Sequence, residues 1–132
     1  MTGNVHMYNF SLIACIFFLG IAATPISAHE WMAPKEAANQ KNSVSATVES
    51  VKHGKELFLN HCAYCHSDTA TGMSADEVGL EKSPPNLIQR LKNHTDGDFF
   101  WKIQHGRDEM PGFKNTLEDD EIWHIINFIK SR

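Results

Sequence analysis

Apolar positions recur at helical spacing in three stretches of this chain. In the first, Val51, Gly54, Phe58 and Cys62 follow at intervals of three, four and four, the repeat that lines one face of a helix. Thr47 ahead of it suits an N-cap, and Glu49 meets the positive end of the helix dipole. Gly54 falls in mid-helix, where glycine costs ~1 kcal/mol against alanine. A glycine there is expected where another backbone comes close. In the second stretch Thr95 caps, Asp98 at N3 completes a capping box, and Gly106 fits the C′ position. Its apolar side is Phe99, Phe100 and Ile103. The third is the cleanest: Thr116 caps, Asp119 is at N3, and Ile122, Ile125, Ile126 and Ile129 form one stripe. Acidic residues 118–121 crowd its start, and Lys130 and Arg132 suit its end.

The intervening segments read differently. Residues 67–85 are rich in Gly, Ser, Thr and Asp and predict a loop. Residues 86–91 predict a short helix, and 107–115, with Met110-Pro111-Gly112, a loop. No stretch alternates as a strand does. The expectation is an all-α domain over 47–132, with three to five helices.

Ahead of it, Phe10 to Ala23 is an apolar run shorter than the ~20 residues a membrane-spanning helix needs. Ile26-Ser27-Ala28 then offers a small residue at a cleavage position, so residues 1–28 predict a cleaved signal peptide. No Lys or Arg precedes the run, which is atypical, and an uncleaved N-terminal anchor is the alternative. Residues 29–46 carry no sustained apolar period and predict an extended arm, with Trp31 and Met32 available to pack on the domain.

Cleavage would leave about 100 residues, enough for one modest core that a buried prosthetic group would help to fill. All 12 basic and 16 acidic residues lie beyond position 28. That balance argues against nucleic acid and is compatible with a partner presenting basic residues.

Cys62-Ala63-Tyr64-Cys65-His66 is a CxxCH pentapeptide. Two thiols so spaced can add across the two vinyl groups of a haem, and the adjacent imidazole can reach the iron. A zinc site would need two further ligands, and the remaining cysteine, Cys15, lies in the segment expected to be removed. A thioredoxin-like dithiol expects a βαβ setting that this pattern lacks.

The order helix, CxxCH, loop with Pro-Asn-Leu, Met-Pro and amphipathic C-terminal helix resembles the class I c-type cytochromes over about Thr47 to Arg132. The resemblance implies a small cytochrome c-like fold wrapped around one covalently bound haem c. Cys62 and Cys65 would be its thioether positions, and His66 and Met110 its axial iron ligands. The family's crossing of N- and C-terminal helices has counterparts in Gly54 with Phe58 and Ile125 with Phe128. Its Pro-x-Leu segment resembles Pro85-Asn86-Leu87, which implies a hydrogen bond from the His66 ring N–H to the Pro85 carbonyl, Pro84 being the adjacent candidate.

For the second axial position Met110 competes with Met73, seven residues after His66, and with His105. His53, His61, His94 and His124 fall on polar faces or in turns. Trp101 and Arg107 carry suitable donors for the haem propionates; the ordinary alternatives are a core aromatic and a solvated charge. The implied function is an exported, periplasmic, single-haem carrier passing electrons between redox proteins, a donor dehydrogenase or reductase and an acceptor oxidase or reductase. It would be no enzyme and, once cleaved, would have no membrane span. A peroxidase-like enzyme with an open iron site and a haem-based gas sensor are the rivals from other classes.

Overall fold

The structure is a computed structural model that describes residues 1–3 and 31–132; the expected signal peptide otherwise lies outside the described residues. Among the described residues seven helices follow in order: α1 (Lys35–Ala38), α2 (Val48–His61), α3 (Ala63–His66), α4 (Ala75–Val78), α5 (Leu87–Arg90), α6 (Asp96–His105) and α7 (Asp119–Lys130). α1, α3, α4 and α5 are single turns of four residues. The three long helices are the three periodic stretches, so the surplus over the expected count comes from isolated turns. Among the described residues there is no strand, and none of their helices is long and apolar enough to cross a membrane.

Thr47 caps α2 as expected, its hydroxyl accepting the Ser50 N–H at 3.1 Å. α7 starts later than its Thr116 signal implies. Thr116 and Leu117 instead close a turn on the Phe113 carbonyl, which buries Leu117 at 6% exposure. Glu118 becomes the cap, and its N–H is taken by the Glu121 carboxylate at 2.9 Å. The 67–85 segment is not wholly irregular either: Ser74 and Glu77 form a capping box that starts α4.

The core lies where α2 and α7 cross. Phe58, Ile122, Ile125 and Ile126 are fully buried, and Phe128 packs on Phe58 with ring centroids 5.2 Å apart. Trp123 stacks on Phe100 of α6 at 4.1 Å, so it packs rather than reacts. Each such side chain contributes about 1.5–3 kcal/mol by leaving water. Gly54 sits at the crossing itself, its α-carbon facing the His124 carbonyl.

Residues 31–46, the described part of the expected extended arm, lie against the domain. They contain α1 and are fastened to α6 and α7 by polar contacts. The Ala33 N–H donates to Asp98 Oδ1 at 2.6 Å, and the Thr95 hydroxyl donates to the Ala38 carbonyl. Asn42 Nδ2 donates to Asn127 Oδ1 at 2.8 Å, while Asn127 Nδ2 donates to the Val44 carbonyl and to Ser50 Oγ. Gly97 accommodates the carbonyls of Ala37 and Gln40, which any side chain there would strike.

Asp98 therefore does more than cap. Its N–H does go to Thr95 Oγ1, but its carboxylate turns inward, fully buried, rather than back to the cap. Oδ2 lies between Lys102 Nζ and His94 Nδ1 at 2.5 and 2.9 Å, as ion-pair contacts rather than aligned hydrogen bonds. His94, expected on a polar face or in a turn, has its side chain 5% exposed in this cluster. Burial lowers the Lys102 pKa below the usual lysine range, and the Asp98 carboxylate beside it partly offsets that.

Candidate functional site

α2 ends in the CxxCH pentapeptide. Cys62 closes it, donating its N–H to the Phe58 carbonyl at 2.8 Å, and its φ of −122° turns the chain into α3. The amides of Cys65 and His66 both donate to the Cys62 carbonyl, at 3.2 and 2.9 Å. One tight turn thus carries both thiols and the imidazole. Tyr64 between them points outward, 75% exposed.

The chain then folds back over the motif. Ser67 and Ala70 adopt positive φ of 63° and 62°, a reversal that L-residues make only when surrounding contacts enforce it. Those contacts are the Gly72 N–H on the His66 carbonyl at 2.9 Å, the Met73 N–H on the Cys65 carbonyl at 3.0 Å, and the Leu87 N–H on the Ala70 carbonyl at 2.9 Å. Ala70 is fully buried beneath this return. Met73 is thereby held on the attachment side, next to Cys65.

Cys62 and Cys65 form no disulfide with each other, and both are half-buried. Burial, with Cys65 beside it, pushes the Cys62 thiol up to about 12. Burial lowers His66 below the ordinary histidine value, which favours the neutral imidazole that binding a metal requires. The carbonyl beside this ring is that of Pro85, near enough to favour the protonated form yet short of a formed hydrogen bond; His66 Nδ1 has no such partner among the described residues. Pro84 is turned elsewhere, its carbonyl lying against Gly72.

Met110 lies in the loop between α6 and α7. Arg107 and Met110 exchange backbone hydrogen bonds at 2.9 and 3.0 Å, closing a four-residue turn. Gly106, with φ of +65°, lets the loop double back: a Cβ there would lie 2.4 Å from the Met110 carbonyl oxygen. Met110 is half-buried and packs against the core, as do Cys62, Ala63, Leu87, Ile88, Leu91 and Phe113.

The other sequence candidates are placed as follows. Trp101 is half-buried and stacks on His105 at 4.4 Å. His105 is exposed, with Nδ1 on the Trp101 carbonyl at 2.8 Å, so its ring is committed to its own helix. Arg107 is exposed, contacts Asp108 Oδ2 at 3.3 Å and lies under the Trp31 ring. His53 and His61 are exposed on α2, and His124 Nδ1 meets Ser50 Oγ at 2.8 Å. Sequence reasoning missed the His94–Asp98–Lys102 cluster, although its i, i+4, i+8 spacing is visible in the chain.

The donor set fits haem c on this structure's own terms. Two thiols and a half-buried imidazole with its Nδ1 closed off from solvent share one turn, and Cys62 and Met110 both pack against the apolar core. Such surroundings suit a large apolar ring system, and thioether with imidazole suits haem iron.

Comparison with known proteins agrees. Residues 49–129 match the family described as cytochrome c oxidase, cbb3-type, subunit III. The chain is similar to a cytochrome c6 of Diacronema lutheri, with 27% identity over 62% of this chain and 95% of that protein. It is also similar to the cytochrome c subunit of a quinone alcohol dehydrogenase of Gluconobacter oxydans, 29% identical over 58% of this chain but 17% of that one. The crystal structure of cytochrome CL from Methylophaga aminisulfidivorans superimposes with a TM-score of 0.53 and 32% identity, covering 65% of this chain and 57% of that chain. The chain therefore belongs to the cytochrome c family, as a single-haem class I member that binds haem c covalently and carries electrons.

Proposed function

We propose that this protein is an exported, periplasmic carrier that passes single electrons between larger redox proteins, with no catalytic chemistry of its own. When bound, haem c supplies the one-electron Fe(III)/Fe(II) couple. In this reading Cys62 and Cys65 would fasten it through thioether bonds, and the His66 imidazole and Met110 thioether would hold the iron. The observation that carries the reading is the His66 ring: half-buried, with its Nδ1 closed off from solvent beside the Pro85 carbonyl, and one residue from Cys65. The Pro85 carbonyl beside it would orient the ring and raise its basicity. Met110 supplies a soft thioether, which favours Fe(II) and raises the potential relative to a second imidazole. The propionates would be met by Trp101 and Arg107.

Were both side chains to hold the iron, small molecules would have no easy access, which would separate a carrier from an oxidase or a gas sensor. Partners would meet the surface over the attachment turn, marked by exposed Tyr64, through a small transient interface. Export rests on the apolar segment ahead of residue 29.

The test is an optical spectrum of holoprotein made in a host with c-haem maturation, oxidised and reduced, then with carbon monoxide. Low-spin reduced bands, a far-red sulfur-to-iron(III) band and no response to carbon monoxide are expected. High-spin features or prompt carbon monoxide binding would move the reading to catalysis or sensing.

A further inference from the structure

Trp31, in the segment ahead of α1, lies against the loop that carries Met110. Trp31 is half-buried, with its ring 4.9 Å from Arg107 Cζ and 5.5 Å from Lys102 Nζ. It is held there two residues later, where the Ala33 N–H meets the buried Asp98 carboxylate at 2.6 Å. Arg107 in turn opens the four-residue turn that its own amide and carbonyl close on Met110. Within that turn Asp108 has φ of +52°, a left-handed conformation disfavoured for most L-residues, though Asp is among the few that adopt it singly. On its other flank the Glu109 carboxylate accepts the Glu81 N–H at 3.1 and 3.2 Å. The turn is thus gripped from two sides, by the 67–85 loop through Glu109 and by the N-terminal segment through Arg107.

We propose that Trp31 is a positioning residue for Met110: by lying over Arg107 it clamps the Arg107–Met110 turn and keeps the thioether presented to the iron. This rests on the reading of Met110 as an iron ligand. Trp31 lies outside the 49–129 stretch matched by the family, so the clamp is built from a segment added to that domain. A bare covering role for Trp31 would leave the turn unaffected by its loss. A clamp makes loss of the indole felt at two backbone amides and at the iron, with Arg107 as the intermediary.

The experiment uses full-length holoprotein carrying Trp31→Ala, Trp31→Phe, Arg107→Met, or Trp31→Ala with Arg107→Met. Two quantities are read: amide hydrogen exchange at Arg107 and Met110, and the rate at which added imidazole displaces the far-red band of the ferric protein. Both should rise about two- to fivefold in Trp31→Ala, the worth of one exposed cation–π contact. Trp31→Phe should restore them, and the double variant should be no worse than either single one. Unchanged exchange and displacement in Trp31→Ala would overturn the clamp, as would full additivity in the double variant. If Trp31→Ala does not fold, Arg107→Met against wild type decides by the same two readouts. A far-red band that survives Met110→Ala would instead overturn the ligand reading, while amide exchange would still judge the clamp.

Discussion

Gly54 and His124 meet backbone to backbone: a Cβ on Gly54 would stand 1.9 Å from the His124 carbonyl oxygen and 3.0 Å from the Ile125 nitrogen. No rotamer can relieve a contact made with main chain. The closeness of the α2–α7 crossing, on which Phe58 and Phe128 pack, therefore depends on the absence of one carbon atom. Gly54→Ala gains about 1 kcal/mol of helix propensity, but separating the helices costs about 1–3 kcal/mol or more. Net destabilisation in a denaturant titration is expected, larger still for Gly54→Leu. An unchanged or raised midpoint would refute the crossing argument.

Met110→Ala removes the thioether from the turn closed by Arg107. The far-red band should vanish and the reduction potential should fall, because the preference for Fe(II) goes with the sulfur. Carbon monoxide should then bind the reduced protein. Wild-type spectra in this variant would remove Met110 from the site.

Asp98→Ala strips the N-terminal segment of its anchor and leaves Lys102 and the Ala33 N–H without their buried acceptor. Removing one member of a buried charge pair costs about 3–5 kcal/mol. The expected outcome is a loss in that range by denaturant titration, together with protease sensitivity at residues 31–46. A loss below about 1 kcal/mol would place the carboxylate's worth at that of a surface pair.

The haem-free chain should show a pH dependence that the holoprotein lacks. Burial raises the Cys62 thiol from 9.0 to about 12 on folding, so between those values the folded state holds a proton that the unfolded state has released. Stability is thus fully present below pH 9 and is lost as pH rises toward 12. Thioether formation removes the thiol and with it this loss. The same burial should make Cys62 alkylation at pH 8 at least about 100-fold slower in the folded haem-free chain than in denaturant, since the thiolate is the nucleophile. Equal rates in the two states would contradict the shielding of Cys62 on folding.

The haem-attachment motif was legible because its chemistry is local. CxxCH lies within one turn, and Gly54 stands at a mid-helix position where glycine is costly without a close backbone neighbour. The three long helices were legible for the same reason: cap, period and terminal charge are neighbours along the chain. The start of α7 was misread because Thr116 is an adequate cap by composition, yet burial of Leu117 assigns the preceding turn to the loop.

Amino-acid order by itself determined the helix class, the cofactor chemistry and the glycine on which close crossing depends, since each follows from residues within a few positions of one another. Only the tertiary structure decided that residues 31–46 form a docked strap, that Asp98 turns inward to meet it, and that Trp31 reaches Arg107 beside Met110. Ala33 and Asp98 are 65 residues apart. A buried carboxylate and an exposed capping carboxylate have the same local sequence. What separates them is which distant backbone N–H arrives to satisfy the charge, and that is settled when the core closes.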